Sequence, residues 1–120
     1  MKDWTAVRER YTVDEWAVRL GGLAANLARI KPFSDHPEHR NVVESLVEQT
    51  RFFIERTAPH ANPEVRAELV SLQLQLALWQ IHLEKIWTDP IERAALAEKA
   101  HEWTHRILAM SGLLRRHTNE

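Results

Sequence analysis

Three prolines mark where helices begin in this chain, and they constrain its fold more than any other feature. Pro37, Pro63 and Pro90 each follow a polar residue and lie close to a glutamate. Proline suits the first turn of a helix, because the N–H that it lacks would have no partner there. Asn62 and Asp89, directly before two of the prolines, are good N-caps. These positions therefore predict three helix starts.

A fourth start comes from the spacing of Thr12 and Glu15, which is that of a capping box. We therefore expect helices near residues 13–31, 37–57, 63–88 and 90–111. A short extra helix is expected at 2–10 and a frayed tail at 115–120. The predicted fold class is all-α: one four-helix bundle-like domain over the whole 120-residue chain.

The third helix differs from the others in its apolar pattern. The first, second and fourth helices each carry one apolar stripe, as bundle helices do. On the third, one stripe consists of Val65, Leu69, Leu72, Leu76, Trp79, Leu83 and Ile86. A second stripe falls on the opposite side and consists of Ala67, Val70, Leu74, Ala77, Leu78 and Ile81. One stripe suffices for a bundle helix, so we predict that something covers the second.

Two coverings are open at this point. The N-terminal segment, with Trp4, Val7 and Tyr11, would cover the second stripe within the chain. A second copy of the chain would cover it in a homodimer, with Ala67 and Ala77 allowing close approach of two helices. Both interpretations make this stripe the main candidate interface.

Two aromatic residues are further candidates for interface contacts. Phe52 lies outside the apolar stripe of the second helix, and Trp87 lies at the end of the third. We expect Trp87 to be half exposed, and exposed aromatic side chains often dominate binding energy.

The Gly21-Gly22 pair inside the first helix predicts a close backbone approach or a kink, since glycine weakens a helix.

One string resembles a catalytic motif. His101, Glu102 and His105 form H-E-x-x-H, which on a helix places two zinc ligands on one face beside a general base. The extended zinc-peptidase pattern would have Gly where Leu108 stands and His where Ser111 stands. The apolar stripe that this helix turns toward the core also lies on a different side of the helix from the two histidines. A solvated histidine pair is therefore the leading interpretation, and a metal-dependent hydrolase is the alternative.

Composition excludes several other functions. The formal net charge is -1, with no cysteine and no glycine-rich phosphate loop. These features speak against a nucleic-acid partner, thiolate metal sites and nucleotide cofactors. The charged N-terminus and the lack of a long apolar run predict a cytoplasmic protein that does not enter a membrane.

Four stretches, at residues 51–58, 68–80, 86–90 and 110–114, resemble a family of small uncharacterised cyanobacterial proteins. The resemblance implies a single helical domain in a cyanobacterial cytosol and carries no activity or site residue. Taken with the second apolar stripe, the sequence predicts a non-enzymatic protein–protein interaction or assembly module that needs no cofactor. Self-association is the first expectation for its partner.

Overall fold

The structure, a computed structural model, describes residues 13–111. The helix expected at 2–10 and the tail expected at 115–120 lie outside the described residues. The covering role considered for Trp4, Val7 and Tyr11 lies outside them as well. Over the described range the chain is helical and contains no strand, so the all-α prediction is confirmed.

Five α-helices follow one another within residues 13–111. They are α1 (Val13–Ala28), α2 (Ile30–Ser34), α3 (Arg40–Thr57), α4 (Pro63–Thr88) and α5 (Pro90–Ser111). Two 3₁₀ turns, Pro37–His39 and Ala58–His60, lead into and out of α3. Since α2 continues α1 after a one-residue break at Arg29, this described range forms the four long helical segments that the sequence predicts.

Local capping explains why α4 and α5 begin where the sequence predicts. Asn62 Oδ1 accepts a hydrogen bond of 2.9 Å from the amide of Val65, and Asp89 Oδ1 accepts one of 3.0 Å from the amide of Ile91. Each bond satisfies an amide that the first helical turn leaves without a backbone partner. His36, which directly precedes Pro37, makes no such bond.

The first helical segment is longer than predicted. It runs to Ser34 and not to residue 31, and it therefore includes Pro32. Pro32 lies in the first turn of α2, where a missing N–H costs no helical hydrogen bond. Because the helix breaks at Arg29 and restarts, the proline interrupts nothing.

The helices pack as a ring around a single core. Helix α1 packs against α3 and α5, and α4 packs against the same two helices, so α1 and α4 occupy opposite corners. The core holds the predicted stripes of all four segments, including Leu23, Val47, Leu72 and Ile107. This arrangement turns one face of α4 toward the core and the other away from it.

The structure corrects the expectation for the glycine pair at Gly22. A Cβ atom placed on Gly22 would meet nothing within 4 Å among residues 13–111, and the residue is exposed. The predicted close backbone approach is therefore wrong at this position. Helix α1 continues through both glycines, so Gly22 lowers helix propensity without making room for a neighbour.

Candidate interaction surface

The outward side of α4 carries a row of exposed apolar side chains. Its large members are Val70, Leu74, Leu78 and Ile81, with 51%, 64%, 52% and 73% of their surface exposed. Ala67 is exposed and Ala77 is half-buried at the same side. We call these six residues the outer α4 face.

The opposite side of α4 supplies the bundle core. Its buried residues are Leu69, Leu72, Leu76, Trp79, Leu83 and Trp87. Helix α4 is thus apolar on two sides, and only one of them is covered in the part of the chain that the structure describes. Both apolar stripes predicted from the sequence are present, and the stripe that contains Leu72 and Leu76 faces the core.

Phe52 of α3 lines a shallow groove together with Gln80 of α4, and 58% of its surface is exposed. Two contacts of the neighbouring Arg51 fix its level along α4: Arg51 donates a hydrogen bond to Gln80 Oε1, and Gln73 donates one of 3.4 Å to the carbonyl of Arg51. Phe52 is therefore level with the middle of α4. The guanidinium of Arg56 lies 5.3 Å from the centre of its ring.

A shallow groove of about 340 Å³ extends the outer α4 face toward α3. Its apolar wall consists of Ile54, Ala58, Pro59, Val70 and Leu74, and its polar residues are Glu55, Arg66 and Gln73. A partner that covers the outer α4 face would therefore also meet the C-terminal end of α3.

Polar side chains between α3 and α4 keep unused hydrogen-bonding atoms. Arg51 Nε, Arg66 Nε and Gln73 Oε1 are buried and have no hydrogen-bond partner among the described residues. Arg66 uses another nitrogen to donate a 3.0 Å bond to the carbonyl of Ala61. Buried polar atoms without partners are costly to the fold.

The sequence by itself shows only part of this polar row. The seven-residue spacing of Arg66, Gln73 and Gln80 places all three on one flank of α4. That spacing could not show that Arg51 of α3 reaches them, because α3 and α4 meet only through tertiary packing.

The expectation that Trp87 is half exposed is wrong. Only 5% of its surface is exposed, and its ring belongs to the core. Its indole Nε1 donates a 2.6 Å hydrogen bond to the carbonyl of Pro37. The 3₁₀ turn before α3 covers the end of α4, so Trp87 is a structural residue and not a surface contact.

The H-E-x-x-H residues lie on the solvent side of α5. His101, Glu102 and His105 are all exposed, and the rings of the two histidines touch edge to face with centroids 4.6 Å apart. Glu102 forms an ion pair of 3.3 Å with Lys99. Among residues 13–111, no group of three or more metal-ligating side chains comes together. The helix therefore brings the two histidines together, and the described residues add no third ligand.

A second ion pair on α5 involves Glu98, three residues before His101. Lys31 of α2 lies 2.9 Å from a carboxylate oxygen of Glu98. The hydrogen bond from Lys31 and its positive charge lower the pKa of the Glu98 carboxyl below its usual 4.5. Glu98 is thus committed to Lys31, which argues against its use as an acid or base with His101.

Comparison with known proteins found no matching family model, no matching curated protein and no matching solved structure. The resemblance to a cyanobacterial family stays a prediction. Within the described range, no helix combines the length and apolarity that crossing a bilayer requires.

Proposed function

We propose that this chain is a non-enzymatic protein–protein interaction or assembly module, and that the outer α4 face with Phe52 is its contact surface. The observation that carries the proposal is the exposure of Val70, Leu74, Leu78 and Ile81 along one side of a helix whose other side already fills the core. A helix that only supported the bundle would need one apolar side.

The size of the surface supports this function. Five large side chains that are each more than half exposed present on the order of 500 Å² of apolar surface, within the about 300–600 Å² typical of the largest patch on a monomer, which is often functional. Isolated exposed residues such as Val18 need no such explanation. Five large apolar side chains that are exposed on one surface do need an explanation.

The charge pattern supports the same function. Between Ala67 and Ile81 the sequence has a single charged residue, Glu68. That carboxylate pairs with Arg106 of α5 and so belongs to the flank of α4 that faces α5. Interface centres are depleted in charge in this way.

Photo-crosslinking in native cells tests the proposal. A photoreactive amino acid replaces Leu74 on the outer α4 face or, as the control, Ala94 on the exposed side of α5. We expect irradiation to give discrete covalent adducts from position 74 and none from position 94. Fractionation of the same cells tests the expected cytoplasmic location.

The same experiment has an outcome that would contradict the proposal. If position 74 gives no more adduct than position 94, while both variants fold and accumulate like the parent, the outer α4 face is not an interaction surface. Adduct masses identify the partner class: twice the chain mass of 14.0 kDa indicates a second copy.

A further inference from the structure

We infer that the partner of the outer α4 face is a second copy of this chain, bound through two antiparallel α4 helices related by a two-fold axis. This inference rests on the proposed function and names its partner. Three features of the described residues support it: the spacing of the seam, the charges at its ends and the position of Phe52.

The spacing of the outer α4 face is that of a helix–helix seam. Ala67, Val70, Leu74, Ala77 and Ile81 follow one another at intervals of three and four residues, which is a heptad repeat. In an antiparallel pair whose axis passes between residues 75 and 76, Leu74 faces Ala77 of the partner subunit. Val70 then faces Ile81 of the partner subunit. The two layers next to the axis each pair Leu74 with Ala77 of the partner subunit, a large side chain with a small one, which lets the two helices approach closely.

The charges at the ends of the seam favour the antiparallel direction. Glu64 in the first turn of α4 and Lys85 in the last are both exposed, and they lie three heptads apart on the same flank. The antiparallel pair brings Glu64 beside Lys85 of the partner subunit at both ends. A parallel pair would bring e positions beside g positions, so Glu64 and Lys85, which are both at e positions, would not meet.

Phe52 extends the same contact onto α3. It lies level with residues 73–80 of α4, next to the proposed axis. In the antiparallel pair both α3 helices lie on the same side of the seam, so the two Phe52 side chains meet near the axis. Covering on the order of 500 Å² on each copy gives about 1,000 Å² in total, which is the area that a specific interface needs.

Sedimentation of the purified full chain tests the inference with a matched pair of variants. Ile81→Glu places a charge in the seam, and Ile91→Glu places the same charge at an exposed isoleucine of α5, outside the seam. We expect the parent to be a dimer at micromolar concentration. Ile81→Glu weakens dimerisation by roughly tenfold or more, as loss of an important interface contact does. Ile91→Glu leaves dimerisation unchanged.

A charge exchange tests the antiparallel direction. Glu64→Lys and Lys85→Glu each place like charges together at the ends of the seam, so each single variant dimerises more weakly than the parent. The double variant restores opposite charges and recovers the affinity of the parent. Circular dichroism of all three confirms that the fold is retained, since Glu64 also interacts favourably with the N-terminus of α4.

The inference is overturned if the parent is a monomer at hundreds of micromolar, or if Ile81→Glu and Ile91→Glu dimerise equally. A monomer that still crosslinks from position 74 to a different protein retains the proposed function and removes the second copy as its partner. A monomer that dimerises only after deletion of residues 1–11 shows that the chain covers its own face, which also overturns the inference.

Discussion

The indole Nε1 of Trp87 donates a hydrogen bond of 2.6 Å to the carbonyl oxygen of Pro37, 50 residues earlier in the chain. Arg93 holds the same corner: its guanidinium donates to the carbonyls of Ser34 and Trp87 at 3.1 and 2.9 Å. The group also lies 5.7 Å from the centre of the Trp87 ring. One corner thus connects the end of α2, the turn before α3, the end of α4 and the start of α5.

Trp87→Phe should destabilise the bundle by about 0.5–1.5 kcal/mol beyond the effect of lost volume, because the hydrogen bond to the carbonyl of Pro37 is lost. The matched control is Trp103→Phe, since Trp103 is equally buried but its Nε1 has no acceptor among residues 13–111. Urea unfolding of both variants measures the difference. Equal losses of stability would show that the Trp87 hydrogen bond contributes nothing.

Truncation on the two sides of α4 should have opposite consequences. Leu76→Ala removes a fully buried side chain and should cost about 2–5 kcal/mol in the free energy of unfolding of the subunit. Leu74→Ala, two residues away on the outer α4 face, should change it by less than about 0.5 kcal/mol. Chemical denaturation at low protein concentration separates subunit stability from any association. Similar losses at both positions would contradict the assignment of the two sides.

Gly22→Ala should stabilise the protein by roughly 0.5–1 kcal/mol. The added methyl group meets no neighbour in the part of the chain that the structure describes, and alanine restricts the unfolded chain and favours the helix. The reverse change at an exposed alanine of the same helix, Ala25→Gly, should cost a similar amount. Thermal unfolding measures both. A loss of stability in Gly22→Ala would show that the close approach exists after all.

The Lys31–Glu98 ion pair should make stability depend on pH in the acid range. Because the folded-state pKa of Glu98 is lowered from 4.5, the pair stabilises the fold above that value. Its contribution is lost as the pH falls through the lowered pKa, where the carboxylate becomes protonated. Lys31→Met should return the pKa of Glu98 toward 4.5 and remove this part of the pH dependence. Carbon-detected NMR titration of the Glu98 carboxyl checks the direction, and an unchanged pKa in the variant would contradict it.

Local chemistry in the sequence is enough to predict α4 and α5 to the residue. Asn62 and Asp89 cap the helices through bonds to amides two or three residues away, so no distant contact is needed to place these ends. The two apolar sides of α4 follow from helical periodicity in the same way. The all-α class and the number of long segments therefore follow from local sequence patterns alone.

Only the tertiary structure decided what each exposed or buried position meets. Trp87 is buried because α2 continues past Pro32 and the following turn brings the carbonyl of Pro37 against the indole. The polar row between α3 and α4 exists because packing brings Arg51 to Gln73 and Gln80, which are far from it in the chain. Periodicity assigns a residue to a side of its own helix, whereas burial depends on which other helix packs there. The sequence therefore determined that α4 has two apolar sides, and the fold decided which of them the other described helices cover.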